Sequence, residues 1–370
     1  MNRLFCLCLL SLPSVLISEF TLLSPVVSPY TCQMARTFFA LRFRFLFLAL
    51  LLFSGFFPAS ARAKWKYQRL GNEADSTVKP SGGFALMGGG SKLDRAFQFL
   101  CERSNGGDFL VLSANDDDSY LQKENEKIKA ICPLNSAATL SFFSREDSDD
   151  PKIPEIIAHA EGIFVAGGDQ SDYVRFWQDT PVQDALNRHI AAGRPIGGSS
   201  AGLAILGQFS FSSMIDTIHS PEALADPYGN KVTLAREFLN IPLLEDTITD
   251  THFVKRDRLG RLLVFLARIL EDGWTKQVRA IAIEENAAVL IDPDGAATVV
   301  GEGPAYFLKS TKPPEVCQHK QPLTFQGITV RRVAPSQSFQ LKTWQGQGDD
   351  YTLSVLRGVL KSSSPTHDPY

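Results

Sequence analysis

Five short apolar runs, most bounded by glycine or turn residues and alternating with segments of helical character, constrain this chain more than any other feature. Phe84 to Met87, Phe109 to Leu112, Thr139 to Phe143, Ile163 to Ala166 and Pro195-Ile196 read as buried strands. Leu93 to Cys101, Tyr120 to Ile131, Ile153 to Ala160, Tyr173 to Trp177 and Val182 to Ala191 carry helical spacing or composition. Strands that alternate with helices predict an α/β fold, a doubly wound and mostly parallel sheet covered on both faces. In such sheets ligands bind beyond the carboxyl ends of the strands, so chemistry is sought in the loops that follow them.

Past Ser210 the alternation loosens. A polar insertion from Ser212 to Leu234 precedes a strand-like Ile248 to Asp250 and an amphipathic helix expected from Lys255 to Glu271. Ala280 to Ile283, Ala288 to Ile291, Ala297 to Val300 and Ala305 to Leu308 read as strands, with Pro293-Asp294-Gly295 as a hairpin turn. These patterns divide the chain into a flexible segment over 64–81, a catalytic α/β domain over 82–310 and a β-rich extension over 311–370. The extension is too short for an independent core, so it is expected to join the same sheet as part of one domain.

Residues 1–63 obey a different composition, with ten of the 26 phenylalanines and one acid, Glu19. The apolar stretch Phe45 to Phe57 follows Arg36, Arg42 and Arg44 and precedes Ala61-Arg62-Ala63, the pattern of a secretory signal with its core at 34–63. At thirteen residues the stretch is shorter than the ~20 a bilayer-spanning helix requires. The expectation is cleavage after Ala63 and a secreted or periplasmic protein without a membrane partner, translation beginning at Met1 or Met34. The remaining 307 residues carry 32 basic and 39 acidic side chains, a net charge of −7 that speaks against a nucleic-acid partner. Three cysteines remain, Cys101, Cys132 and Cys317. Cys101 could pair with Cys132, or all three could be buried thiols.

Two glycine-rich loops at strand ends carry the chemistry. Gly198-Ser199-Ser200-Ala201-Gly202 follows an apolar strand and opens a helix, which fits a nucleophile elbow with Ser200 as the attacking hydroxyl. The N–H of Ala201 at the helix start, and that of Gly168 in Gly167-Gly168-Asp169-Gln170, are candidate oxyanion donors. Neither this loop nor Gly88-Gly89-Gly90 extends to a dinucleotide fingerprint or a phosphate-loop lysine, so a nucleotide cofactor is not expected. No His, Cys and carboxylate cluster has metal-ligand spacing, so no metal is expected either. His252, after a strand and before a helix, is the favoured base, with His219 in the insertion as its rival.

These segments resemble the cyanophycinase and peptidase E family of serine exopeptidases, whose fold is similar to the class I glutamine amidotransferases. The resemblance rests on Gly167-Gly168-Asp169-Gln170, on Gly198-Ser199-Ser200-Ala201-Gly202, on Asp250-Thr251-His252-Phe253 with Arg256, Arg258 and Arg261, and on Ile283-Glu284-Glu285-Asn286-Ala287. It spans about residues 82–310 and implies Ser200 as nucleophile and His252 as base. Gln170, Arg256, Arg258 and Arg261 would line the substrate site, together with Asp250 and Thr251 of the same block. It further implies a peptide or poly-aspartate-type substrate and makes a homodimer reasonable. Thr251 stands where cyanophycinases typically carry Gln, and the Ser212 to Leu234 insertion lengthens the interval between nucleophile and base. For the acid that orients the histidine, Asp216 is favoured from the order Ser, acid, His, with Glu222 and Glu285 as alternatives. An isoaspartyl dipeptidase and a non-catalytic binding protein on the same fold are the competing functions.

Overall fold

The strands Ile196–Ser199 and Phe84–Met87 lead into the site from a ten-stranded sheet, and Thr247–Asp250 leads into it from an eight-stranded one. The computed structural model describes residues 65–91, 93–114 and 118–370; the expected leader over 1–63 lies outside the described residues. In chain order the first half comprises β1 (Lys66–Gly71), β2 (Phe84–Met87), α1 (Asp94–Arg103), β3 (Asp108–Ser113), α2 (Asp118–Ile131) and β4 (Ser136–Ser141). It continues with α3 (Lys152–Ala158), β5 (Gly162–Val165), α4 (Gln170–Trp177), α5 (Pro181–Ala191), β6 (Ile196–Ser199) and α6 (Ala201–Ala204). Strands β4, β3, β5, β6 and β2 lie side by side in that order, all parallel.

The alternation of side chains along each strand explains the layering. Leu86, Leu110, Leu112, Ile163 and Val165 point into one core with Ile153, Trp177, Val182 and Leu186 from α3, α4 and α5. Their neighbours Ala85, Met87, Phe109, Val111 and Phe164 point to the other face, against Ala96, Phe97 and Leu100 of α1 and Ile128 of α2. Helices therefore follow β2 and β3 on one face and β5 and β6 on the other, and the connections reverse between adjacent β6 and β2. A crevice at such a reversal is where doubly wound sheets bind ligands.

The second half begins with β7 (Phe209–Phe211), α7 (Ser220–Ala225), β8 (Leu234–Arg236), β9 (Thr247–Asp250), α8 (Leu259–Glu271) and β10 (Val278–Ile283). Then come β11 (Ala287–Ile291), β12 (Ala296–Gly301), β13 (Ala305–Ser310), β14 (Phe325–Val333), β15 (Ser338–Gln340), β16 (Gln345–Gly346), β17 (Asp349–Leu356) and β18 (Val359–Ser362). β11 pairs antiparallel with β2 and extends the first sheet through β12, β15 and β16. The others form a second sheet, ordered β18-β17-β14-β13-β10-β9-β7-β8. One of its faces packs Ala280, Ala282 and Leu308 against α8, while Ile281, Ile283 and Phe307 join the core of the first sheet.

Three sequence expectations change. The 64–81 segment is not wholly flexible, because β1 pairs antiparallel with β4 from Lys66 to Gly71. Its polar outward side chains are those of an edge strand, and Arg69 is tied to the buried Asp108 carboxylate at 2.9 Å. The 311–370 extension does not add to a single sheet, since β15 and β16 join the first and β14, β17 and β18 the second. Helix α8 begins at Leu259 rather than Lys255, because the residues after His252 are spent on a turn. Cys101 and Cys132 form a disulfide, and Cys317 is a buried free thiol whose pKa burial pushes up to about 12.

Candidate active site

The glycines around Ser200 decide its conformation. Ser200 sits between β6 and α6 with φ 53° and ψ −116°, a backbone state that a serine adopts only when its surroundings enforce it. A Cβ on Gly198 would lie 2.5 Å from the carbonyl carbon of Gly202, and one on Gly202 would overlap the Val165 carbonyl. Only side-chain-free residues let β5, β6 and α6 approach this closely, and the turn between them pushes the hydroxyl into the crevice. The Ser200 N–H donates to the Met87 carbonyl at the end of β2, 3.1 Å away.

His252 follows β9 with φ 46°, and its N–H donates to the Gly88 carbonyl at 2.8 Å. Its ring is buried, with Nε2 2.7 Å from Ser200 Oγ and Nδ1 2.6 Å from Glu285 Oε1. Burial holds the imidazole pKa below its ordinary value; the Glu285 hydrogen bond opposes this, while the Arg256 and Arg258 charges add to it. Glu285 is held below its usual carboxylate range, chiefly by its bond to His252 and then by nearby positive charge. A neutral imidazole with Nδ1–H donated to a carboxylate leaves Nε2 free to take the serine proton.

The structure thus joins Ser200, His252 and Glu285, and it moves the acid from the favoured Asp216 to the alternative Glu285. Asp216 is exposed and pairs with Lys231 at 3.3 Å, and Glu222 meets the same lysine at 3.7 Å. The physical reason is strand pairing: the β10–β11 turn carrying Glu285 is brought beside His252 because β10 pairs with β9 and β11 with β2. His219, the rival base, occupies the position before α7 without a capping side-chain hydrogen bond.

The arginines divide by burial. Arg261 is buried and forks onto Asp250, with Nε 3.0 Å and Nη2 2.5 Å from its two oxygens, so both residues brace the loop instead of facing substrate. Arg258 donates through Nη1 to the Thr251 carbonyl and hydroxyl, at 2.9 and 2.8 Å, and burial lowers its pKa to about 10. Thr251 is therefore engaged as well. Arg256, half-exposed and 4.0 Å from Glu285, remains open to a ligand. Gln170 opens α4, and its amide donates to the Phe211 carbonyl at 3.4 Å. Gly167 lies against Ser200, where a Cβ would be 3.5 Å from the serine Cβ, so the loop that carries Gly168 passes beside the nucleophile. Ala201 is the first residue of α6, so its N–H has no partner within the helix.

Sequence reading missed the role of Gly88-Gly89-Gly90. A Cβ on Gly89 would come within 2.5 Å of His252 Nε2, so this loop must be bare for the ring to reach Ser200. Asn286 fixes the loop by donating its N–H to the Gly89 carbonyl and accepting Ser91 N–H on its side chain, at 2.9 and 2.7 Å. Glu284 accepts the N–H groups of Val254 and Lys255 at 2.5 and 3.1 Å, which clamps the turn after the histidine. A triple glycine at a strand end was the available signal. Among the described residues no group of three or more His, Cys, Asp or Glu is placed to hold a metal ion, and no helix is long and apolar enough to cross a membrane.

Comparison with known proteins adds an independent finding. The model of peptidase family S51 matches residues 87–299. The cyanophycinase of Synechococcus elongatus is 25% identical over 275 residues, covering 70% of this chain and 80% of that protein. The cyanophycinase of Nostoc sp. (strain PCC 7120) is 26% identical over 261 residues, covering 69% and 79%. A crystal structure of a peptidase from an acI-B1 Actinobacterium superposes with a TM-score of 0.49 at 15% identity, covering 70% of this chain and 97% of that one.

Proposed function

The chain belongs to peptidase family S51 and is a serine peptidase; from that premise we propose that it is an exported exopeptidase that opens amide bonds of aspartyl peptides through an acyl-enzyme on Ser200. The observation that carries this reading is the unbroken run from Ser200 Oγ through the His252 ring to Glu285, at 2.7 and 2.6 Å. Ser200 attacks the amide carbonyl while His252 Nε2 takes its proton. Glu285 steadies the imidazolium, and the Ala201 and Gly168 N–H groups receive the oxyanion. Collapse returns the proton from His252 to the leaving amine; water then enters by the same route in reverse and frees the acid product.

Two observations support the substrate class. The curated relatives are cyanophycinases, and Arg256 offers a half-exposed cation beside the triad that would pair with a carboxylate of the peptide. Export is supported by the signal-like pattern before residue 64 and by the Cys101–Cys132 disulfide, a bond favoured by oxidising compartments. The test is labelling with a serine-reactive phosphonate, followed by assay on cyanophycin and on β-aspartyl dipeptides. Labelling at Ser200, loss of turnover in Ser200→Ala and release of dipeptides from cyanophycin are expected. Turnover of β-aspartyl dipeptides alone would replace the polymer by an isoaspartyl dipeptidase substrate, and labelling elsewhere would overturn the mechanism.

A further inference from the structure

The turn that carries His252 is held on one side by Glu284, and its other side meets a residue from far outside the 87–299 region that the S51 model matches. Tyr370 Oη accepts the N–H of Leu259, the first residue of α8, at 3.0 Å and donates to Asp257 Oδ1 at 2.8 Å. Asp257 has φ 45°, and its carbonyl accepts the Ser220 hydroxyl at 2.5 Å. The Tyr370 ring stands edge-on to Phe253, the neighbour of His252, with centroids 5.6 Å apart, and to Tyr306 at 6.2 Å. Phe253 is fully buried and in turn packs on Tyr306 at 5.2 Å. Tyr370 therefore touches both ends of the seven-residue turn from His252 to Arg258, by ring contact at Phe253 and by hydrogen bonds at Asp257 and Leu259.

We propose that Tyr370 is a positioning residue for His252, through which the β-rich extension fixes the turn that aims the imidazole at Ser200. A turn of this length that includes two non-glycine residues at positive φ relaxes unless both ends are pinned. Glu284 pins its middle through two N–H groups, while Tyr370 and Ser220 pin its exit into α8. Because Tyr370 does not reach Ser200 or the ring itself, its removal leaves the three reacting groups in place but widens the range of orientations of the imidazole. The charged groups that face the ring are Glu285 from the β10–β11 turn and Arg256 and Arg258 from its own turn; Gly88-Gly89-Gly90 presents backbone only.

The proposal rests on the serine-peptidase reading, and its test separates the two. The rate of inactivation by a serine-reactive phosphonate is measured across pH for the full chain, for Tyr370→Phe, which keeps the ring and loses both hydrogen bonds, and for Tyr370→Ala. Loosening lets water reach a ring whose low pKa is due first to burial. The acidic limb of the profile is therefore expected to move up toward the ordinary imidazole value in Tyr370→Ala. The plateau rate should fall about five- to tenfold, with Tyr370→Phe intermediate. Variants that melt earlier yet keep the wild-type plateau and the wild-type limb would overturn the positioning role and leave Tyr370 a structural residue. Failure of the wild-type chain to react at Ser200 would instead overturn the functional reading on which the proposal rests.

Discussion

Replacing Glu285 by Gln tests the triad with almost no change in shape. The wild-type carboxylate accepts His252 Nδ1–H at 2.6 Å, and a hydrogen bond to a charged group is worth about 1.5–3 kcal/mol. At about 1.4 kcal/mol per factor of ten, that bond alone accounts for a loss of about 10- to 150-fold in kcat/KM. The amide adds a second fault, because its NH2 can donate to Nδ1 and stabilise the tautomer that has its proton on Nε2, where Ser200 then finds no base. The Glu285 side chain is 25% exposed, so water screens part of its charge, and the expected total is roughly 10²- to 10³-fold. The pH profile supplies the sign. His252 must be neutral to act, so activity is present above its pKa and lost as pH falls through it. Burial sets that pKa below the ordinary imidazole value while the Glu285 bond pulls it up. Removing the bond should move the acidic limb to still lower pH, whereas Arg256→Ala, which removes an opposing positive charge, should move it up. Peptidase assays of both variants between pH 4 and 9 check this. An E285Q enzyme within threefold of wild type, or a limb that shifts upward, would refute the reasoning.

The other predictions concern residues that the sequence pattern favoured or left open. Asp216→Asn should leave kcat/KM within twofold of wild type in the same assay, since Asp216 pairs with Lys231 and accepts the N–H of Thr217 at the surface. Asp250→Ala leaves the buried Arg261 guanidinium without its fork partner and should cost about 3–5 kcal/mol in urea unfolding. Adding Arg261→Met should recover much of that loss, as expected when a buried pair is replaced by apolar packing. Reduction of Cys101–Cys132, which closes a loop of 31 residues, should cost about 3–4 kcal/mol on the chain-entropy account. In a chain starting at residue 64, native protein should show no thiol reactive to Ellman's reagent until Cys317 is exposed by unfolding.

Much of the site was legible because its parts lie in loops whose residue types serve one purpose. The Gly198-x-Ser200-x-Gly202 spacing announces a strained turn, and a strained turn is what forms, with Ser200 at φ 53°. His252 was legible from its place between a strand and a helix. Glu285 was ranked below Asp216 because local order along the chain was taken as a guide to an acid whose approach depends on distant pairings, β10 with β9 and β11 with β2. Arg261 was expected at the substrate site from the resemblance, and only packing shows that its side chain looks inward, over the rings of Phe211 and Phe265. β1 escaped notice because an edge strand hydrogen-bonds through its backbone, and its side chains, Lys66, Gln68 and Arg69 among them, need not be apolar.

The geometry of the pair then has a simple origin. Ser200 and His252 come from different sheets, and each holds a positive φ that costs about 1–3 kcal/mol. Their N–H groups donate to consecutive carbonyls, Ser200 to Met87 and His252 to Gly88. One peptide unit at the end of β2 thereby sets the spacing of nucleophile and base, which is why the side chains meet at 2.7 Å. The same loop must be free of side chains, because any Cβ on Gly89 would occupy the imidazole's place. The triple glycine is therefore required by the histidine, and the conformational strain of Ser200 and His252 is offset by the backbone hydrogen bonds that it and β2 provide.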